Sequence, residues 1–125
     1  MDRYARRPAS LSDPQRRVEI ILYLKELAAS DPEPLWRDER DQGLVSGIDQ
    51  IFHFFFDDND FDESAIGQSL LDVEEVEAIE EMKVLLDAML ADLPDGDNAA
   101  FVGHHLWQSL RAKAQEAQSA FEARS

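Results

Sequence analysis

Carboxylates are the chemistry this chain offers in quantity, and their densest supply is Asp57-Asp58-Asn59-Asp60-Phe61-Asp62-Glu63. Asp58, Asp60 and Asp62 fall at positions one, three and five of a twelve-residue calcium loop, where alternate acids converge on one ion. The sixth position, however, is Glu63, where such a loop needs glycine for its sharp turn. The twelfth is Ser69, where a bidentate glutamate would close the site. The segment therefore reads as a solvated acidic loop, and no metal or cofactor is expected. His53, His104 and His105 match no zinc-ligand spacing and read as one surface histidine and a pair at a helix start. Acid–base catalysis needs carboxylates paired by geometry, and with 27 acidic residues in the chain abundance singles out none. Glycine-rich phosphate loops, nucleophile elbows and ordered Ser/His/Asp sets are absent from the sequence, so the expectation is a protein without enzymatic activity.

Directly ahead of the acids stands Ile51-Phe52-His53-Phe54-Phe55-Phe56. At helical spacing Phe52 and Phe55 share a stripe with Leu44, Ile48 and Ile51, which places them in a core. Phe54 and Phe56 fall off that stripe, and Phe61 lies within the acidic loop. Aromatic anchors rimmed by carboxylates suit a cationic protein, because burial supplies affinity and charge supplies steering and specificity. Phe54, Phe56, Asp57, Asp58, Asp60, Phe61, Asp62 and Glu63 are accordingly the expected partner-binding residues.

Four main helices are predicted to carry these residues. Ser12-Asp13-Pro14 is a helix-start signal, and Val18, Ile21, Leu24, Leu27 and Ala28 then recur at three- and four-residue spacing, giving a helix over 14–29. Asp31-Pro32-Glu33-Pro34 breaks it, and Leu35 and Trp36 anchor a short turn or helix. The second helix is expected over 43–56. Residues 65–71 read as an irregular or extended connector. The longest helix, 73–93, turns Val73, Val76, Ile79, Met82, Leu86, Met89, Leu90 and Leu93 inward, and gathers Glu74, Glu75, Glu77, Glu80 and Glu81 near its N-terminus, where carboxylates suit the helix dipole. After Pro94-Asp95-Gly96-Asp97-Asn98 and a brief apolar contact at Phe101 and Val102, a last helix over 105–122 places Leu106, Trp107, Leu110, Ala114, Ala117 and Phe121 inward. The fold class is all-α: a single-domain bundle of four to five helices over 11–125, with 1–10 as a flexible basic arm.

At 125 residues with 44% hydrophobic side chains, the chain is long enough to bury one core. Its net charge of -15 opposes direct binding to nucleic acid or to an anionic membrane and favours a basic protein partner. The charge is uneven: residues 31–104 hold 21 acidic against three basic side chains, whereas residues 1–17 hold five arginines against two aspartates. Without cysteine there is no disulfide framework, no apolar stretch approaches the roughly 18 residues of a membrane span, and the charged N-terminus is followed by no apolar signal region. A cytoplasmic location is expected.

Several segments, taken in order, carry a resemblance. They are Ser12-Asp13-Pro14 through Leu27, Gly47-Ile48-Asp49-Gln50-Ile51-Phe52-His53 leading into Asp57-Asp58, Ile66-Gly67 with Leu70 ahead of Glu75-Val76 and Ala78, Leu86-Asp87, and Asp97 through Phe101-Val102 to Trp107. Together they resemble a largely uncharacterised family of small acidic bacterial helical proteins, in which tyrosine and proline are usual where Phe101 and His105 stand in this chain. The resemblance implies a helical domain without enzymatic activity and assigns no catalytic residue. The functional expectation is thus stoichiometric binding of a basic protein, in the manner of an immunity or antitoxin-type inhibitor of a basic toxin such as a nuclease. The alternative is an acidic adaptor or self-associating scaffold, a homodimer paired through Phe54 and Phe56.

Overall fold

A computed structural model describes residues 11–43 and 47–124. In chain order these form α1 (Pro14–Ala28), α2 (Glu33–Asp41), α3 (Ile48–Phe52), α4 (Val73–Asp92), α5 (Asn98–Val102) and α6 (Trp107–Arg124). A π-helical turn, His53–Asp57, continues α3, and a 3-10 turn spans Glu63–Ala65. The fold is all-α: among the described residues no strand forms, and no helix is long and apolar enough to cross a membrane. The expected arm over 1–10 and the expected core residue Leu44 lie outside the described residues.

Side-chain caps set where these helices begin. Asp13 accepts the Arg16 backbone N–H at 3.1 Å, Asp72 that of Glu75 at 3.2 Å, and Asp97 that of Ala100 at 2.9 Å, each satisfying a donor the helix itself leaves free. α3 is capped from a distance. Gly47 has φ +103° and no side chain to offer, so the Asn98 carboxamide oxygen takes the Ile48 N–H at 2.9 Å instead. A Cβ on Gly47 would meet that carboxamide at 2.8 Å. The helix expected over 43–56 therefore starts at Ile48, and α6 starts at Trp107 after a turn in which His104 Nδ1 accepts the Leu106 N–H at 3.0 Å.

α6 runs antiparallel to α1 and to α4, and the three make the bundle's main seam. Ile20, Leu24 and Leu27 of α1, Ile79, Met82, Leu86 and Met89 of α4, and Leu110, Ala114, Ala117 and Phe121 of α6 are all buried there. Trp36 of α2 and Trp107 meet edge to face, with ring centroids 6.4 Å apart. The Ala28 carbonyl, exposed by the end of α1, accepts from Arg111 at 3.2 Å and Gln115 at 3.3 Å of α6.

Two expected helix faces keep their centres, with Leu24 and Leu27 of α1 and Ile79, Met82, Leu86 and Met89 of α4 buried, and are corrected at their edges. On α1 the inward face is Arg17, Ile20, Leu24 and Leu27, and Val18 is exposed; on α4 it is Glu75, Ile79, Met82, Leu86 and Met89, with Val73 and Leu90 exposed. A buried ion pair occupies the inward face at the head of both helices. Arg17 and Glu75, 3% and 2% exposed, form two parallel hydrogen bonds of 2.8 Å each. Glu75 also accepts the Leu71 N–H at 2.8 Å and Arg124 Nη1 at 3.2 Å. Arg17 donates to the Ser69 carbonyl at 3.3 Å and lies 4.7 Å over the Phe121 ring. Charge this deeply buried is tolerated only when paired and hydrogen-bonded, so the two helices must turn their charged positions inward together. The connector also adapts to it. Residues 66–70 form a tight turn, with Gly67 at φ +91° and its N–H donating to the Leu70 carbonyl, and the Gly67 and Gln68 carbonyls receive Ser12 and Asp13 N–H at 3.0 and 2.9 Å.

Arg17→Met is expected to lower the free energy of unfolding by about 3–5 kcal/mol, because it leaves Glu75 buried without its bidentate partner. Urea unfolding measures this, and Arg17→Met/Glu75→Leu is expected to recover part of the loss. Equal losses in the two variants would show that packing, rather than the orphaned charge, is responsible.

Candidate functional site

The eight expected partner-binding residues separate into a core group and a surface group. Phe54 and Phe61 are 3% and 4% exposed, which corrects their reading as surface anchors. The reason lies in the π-turn. Asp58 N–H donates to the His53 carbonyl at 2.7 Å, five residues back, and the extra residue in that turn rotates Phe54 inward beside Phe55. Phe54 then packs 4.4 Å from the Tyr23 ring, 5.0 Å from Phe55 and 5.4 Å from Phe61, while Asn59 Nδ2 covers its carbonyl at 2.8 Å. The same burial removes Phe54 from the expected homodimer face.

The acids stay at the surface. Asp57, Asp58, Asp60, Asp62 and Glu63 are all exposed. Asp62 is occupied locally: its carboxylate accepts the Ser64 hydroxyl and backbone N–H, which together hold its pKa below the usual range. The Asp57 carboxylate lies 2.8 Å from His53 Nδ1 and accepts a hydrogen bond from it in the tautomer that carries a proton there. Asp58, Asp60 and Glu63 meet no cation at ion-pair distance among the described residues.

Two depressions flank this segment. One is bordered by Asp13, Arg16, Asp58, Asp60, Ser64 and Gln68, and Arg16, paired with Asp13 at 3.8 Å and Glu19 at 3.3 Å, already brings a cation to its edge. The other, about 250 Å³, lies between the α3 helix with its π-turn and α4, and is lined by Asp49, Phe52, His53, Phe56, Asp57, Asp87 and Leu90. Its floor is rigid. The half-buried Phe52 and Phe56 stack 5.5 Å apart, and Phe52 meets the buried Phe101 edge-on at 5.6 Å. Asp49, Asp87 and Leu90 were not among the expected site residues. The i, i+3 spacing of Asp87 and Leu90 put them on one strip of α4, but only the packing of α3 shows what that strip faces.

The glutamates at the head of α4 belong to a different surface. Arg124 binds Asp72 at 2.9 Å and Glu74 at 3.2 Å, and Lys113 reaches Glu81 at 3.1 Å. Partial burial works against ionisation of Asp72, but the Arg124 and Glu75 hydrogen bonds outweigh it and hold its carboxyl below the usual range. Asp72, Glu74 and Glu81 are thus paired with cations of α6. Elsewhere, Glu26 accepts the Trp36 indole N–H at 2.7 Å beside Glu39, whose Oε1 is buried without a hydrogen-bond donor among the described residues. No group of three or more histidine, aspartate or glutamate side chains among the described residues is arranged to hold a metal ion. The arrangement around residues 49–63 is suited to holding cationic groups against aromatic carbon. Compared with family models, curated proteins and solved structures, the chain shows no significant match to any of them, so nothing there bears on the resemblance drawn from the segments.

Burial pushes the Glu26 carboxyl above its ordinary range, the Trp36 N–H pulls it back in part, and Glu39 pushes it up again. A carboxyl raised in this way favours folding below its ordinary pKa and loses that contribution as pH rises through the folded value. Glu26→Gln keeps the acceptor for Trp36 and removes the charge. It is therefore expected to raise the urea midpoint at pH 7, with the difference closing below about pH 4. A midpoint difference that ignores pH would place the effect outside the carboxylate.

Proposed function

We propose that this chain is a non-enzymatic binding domain for a basic protein, acting in the cytoplasm as an immunity or antitoxin-type inhibitor that occludes a cationic surface such as the active site of a nuclease. The observation that carries this reading is an imbalance in how the acids are partnered. Glu74, Glu75 and Glu81 of α4 meet Arg124, Arg17 and Lys113, whereas the exposed Asp58, Asp60 and Glu63, like Glu77 and Glu80, meet no cation at ion-pair distance among the described residues, and of these only Asp58, Asp60 and Glu63 follow directly on the aromatic run. Uncompensated carboxylates on a chain of net charge -15 raise its free energy by self-repulsion and speed encounter with a partner of opposite sign. Phe56, half-buried and adjoining Asp57, takes the anchoring role expected of three phenylalanines.

Binding is tested by biolayer interferometry against a panel of basic nucleases at two salt concentrations. Stoichiometric binding whose association slows with salt is expected, and Asp57→Asn/Asp58→Asn/Asp60→Asn/Glu63→Gln is expected to slow association about tenfold at low salt. Unchanged association in that variant sinks the surface assignment.

The self-association reading shifts position. Val18 and Leu22 on α1 and Leu35 on α2 are exposed, and Leu22 and Leu35 border one shallow groove with Glu26 and Glu39. A second copy covering these side chains would replace the pairing expected through Phe54 and Phe56. Sedimentation velocity decides the matter: a dimer that Val18→Glu/Leu22→Glu converts to a monomer supports it, and a monomeric parent chain ends it.

A further inference from the structure

The groove between α3 and α4 has the composition of a receptor for one long basic side chain. Its floor is aromatic and aliphatic carbon from Phe52, Phe56 and Leu90, and its rim carries Asp49 and Asp57 from α3 and its π-turn and Asp87 from α4. Among the described residues Asp49 and Asp87 form no ion pair, and Asp57 meets only His53. At about 250 Å³ the groove is smaller than the usual site for a drug-sized ligand and fits a single side chain better. An arginine or lysine needs both parts of it: the stem covers apolar surface while the charged head stays with carboxylates. The floor already meets one cation from this chain, since Lys83 Nζ lies 4.8 Å from the Phe56 ring centroid.

We propose that this groove seats one arginine or lysine side chain of the basic protein partner, with Phe52, Phe56 and Leu90 against its stem and Asp49, Asp57 and Asp87 around its charge. The assignment rests on the binding function proposed above and names where its anchor enters. The neighbouring depression at Asp58 and Asp60 is the weaker seat, because it is lined chiefly by polar groups and offers the stem of a basic side chain little carbon to cover. Asp58, Asp60 and Glu63 then act as a steering rim beside the seat.

The test is a titration of the full ¹⁵N-labelled chain with a capped tri-arginine peptide, with free spermidine as a second arm. Amide shifts are expected to centre on Asp49, Phe52, Phe56, Asp87 and Leu90. Asp49→Asn/Asp87→Asn is expected to weaken the peptide about fivefold, Phe56→Leu to weaken it while the melting curve stays cooperative, and Glu77→Gln, exposed on α4 outside the groove, to leave it within about twofold. Shifts centred on Asp58 and Asp60, with no effect of Asp49→Asn/Asp87→Asn, would overturn the groove and leave the acidic-surface function standing. Absence of peptide binding anywhere on the chain would overturn both. Spermidine reproducing the peptide's shifts and affinity would show that charge alone is read, and would overturn the side-chain assignment.

Discussion

The Arg17–Glu75 pair fixes how the three long helices face one another. A bidentate guanidinium–carboxylate contact has one good geometry, and at this burial the alternative to meeting it is an unpaired charge in the core. α1 and α4 therefore share a rotational setting, and the end of α6 is drawn in through Arg124 and the Phe121 ring. Replacing a buried pair with apolar residues is often neutral or stabilising, so what the pair secures is register among the helices more than stability. Val18, Val73 and Leu90 are left outside by that register, and Leu90 thereby becomes part of a groove.

Charge is distributed by the same geometry. A chain with 21 acidic against three basic residues over positions 31–104 repels itself unless cations from elsewhere are brought to it. α1 and α6 provide them. Arg17, Arg124 and Lys113 pair with Glu75, Glu74 and Glu81 of α4, and Lys25 meets Glu122 across the α1–α6 seam at 3.3 Å. Asp49, Asp58, Asp60, Glu63 and Asp87, around α3 and the loop after it, form no ion pair among the described residues. The binding function proposed there rests on these unpaired carboxylates beside an aromatic run rather than on the abundance of acid.

The π-turn at His53–Asp57 is the second deciding feature. A regular helix through Phe52 to Phe56 buries at most one side of its aromatic run. One extra residue in the turn sends both Phe54 and Phe55 inward and keeps Phe56 half at the surface, stacked on Phe52. Such a turn leaves a carbonyl without its helical donor, and the Asn59 side chain supplies one to Phe54. Core and site thus draw on adjacent residues of a single aromatic run.

Hydrophobic spacing, capping residues and prolines were sufficient to read the all-α class, the positions of α1, α4 and α6, and the exposed acidic segment, because those signals act within a few residues of themselves. The partner of a buried charge acts over a longer range. Arg17 stands in phase with Ile20, Leu24 and Leu27, and Glu75 in phase with Ile79, Met82, Leu86 and Met89, so each sits on a legible apolar stripe. That these two intrusions answer each other across 58 positions is known only from packing. Likewise Asn98 capping α3, the burial of Phe54 and Phe61 against Tyr23 and Phe55, and the meeting of Asp49 with Asp87 across a groove all depend on which surfaces touch. The sequence by itself determined which residues are acidic, aromatic and helical; the tertiary structure decided which carboxylates find a cation and which phenylalanines face the solvent, because both depend on neighbours that lie far apart along the chain.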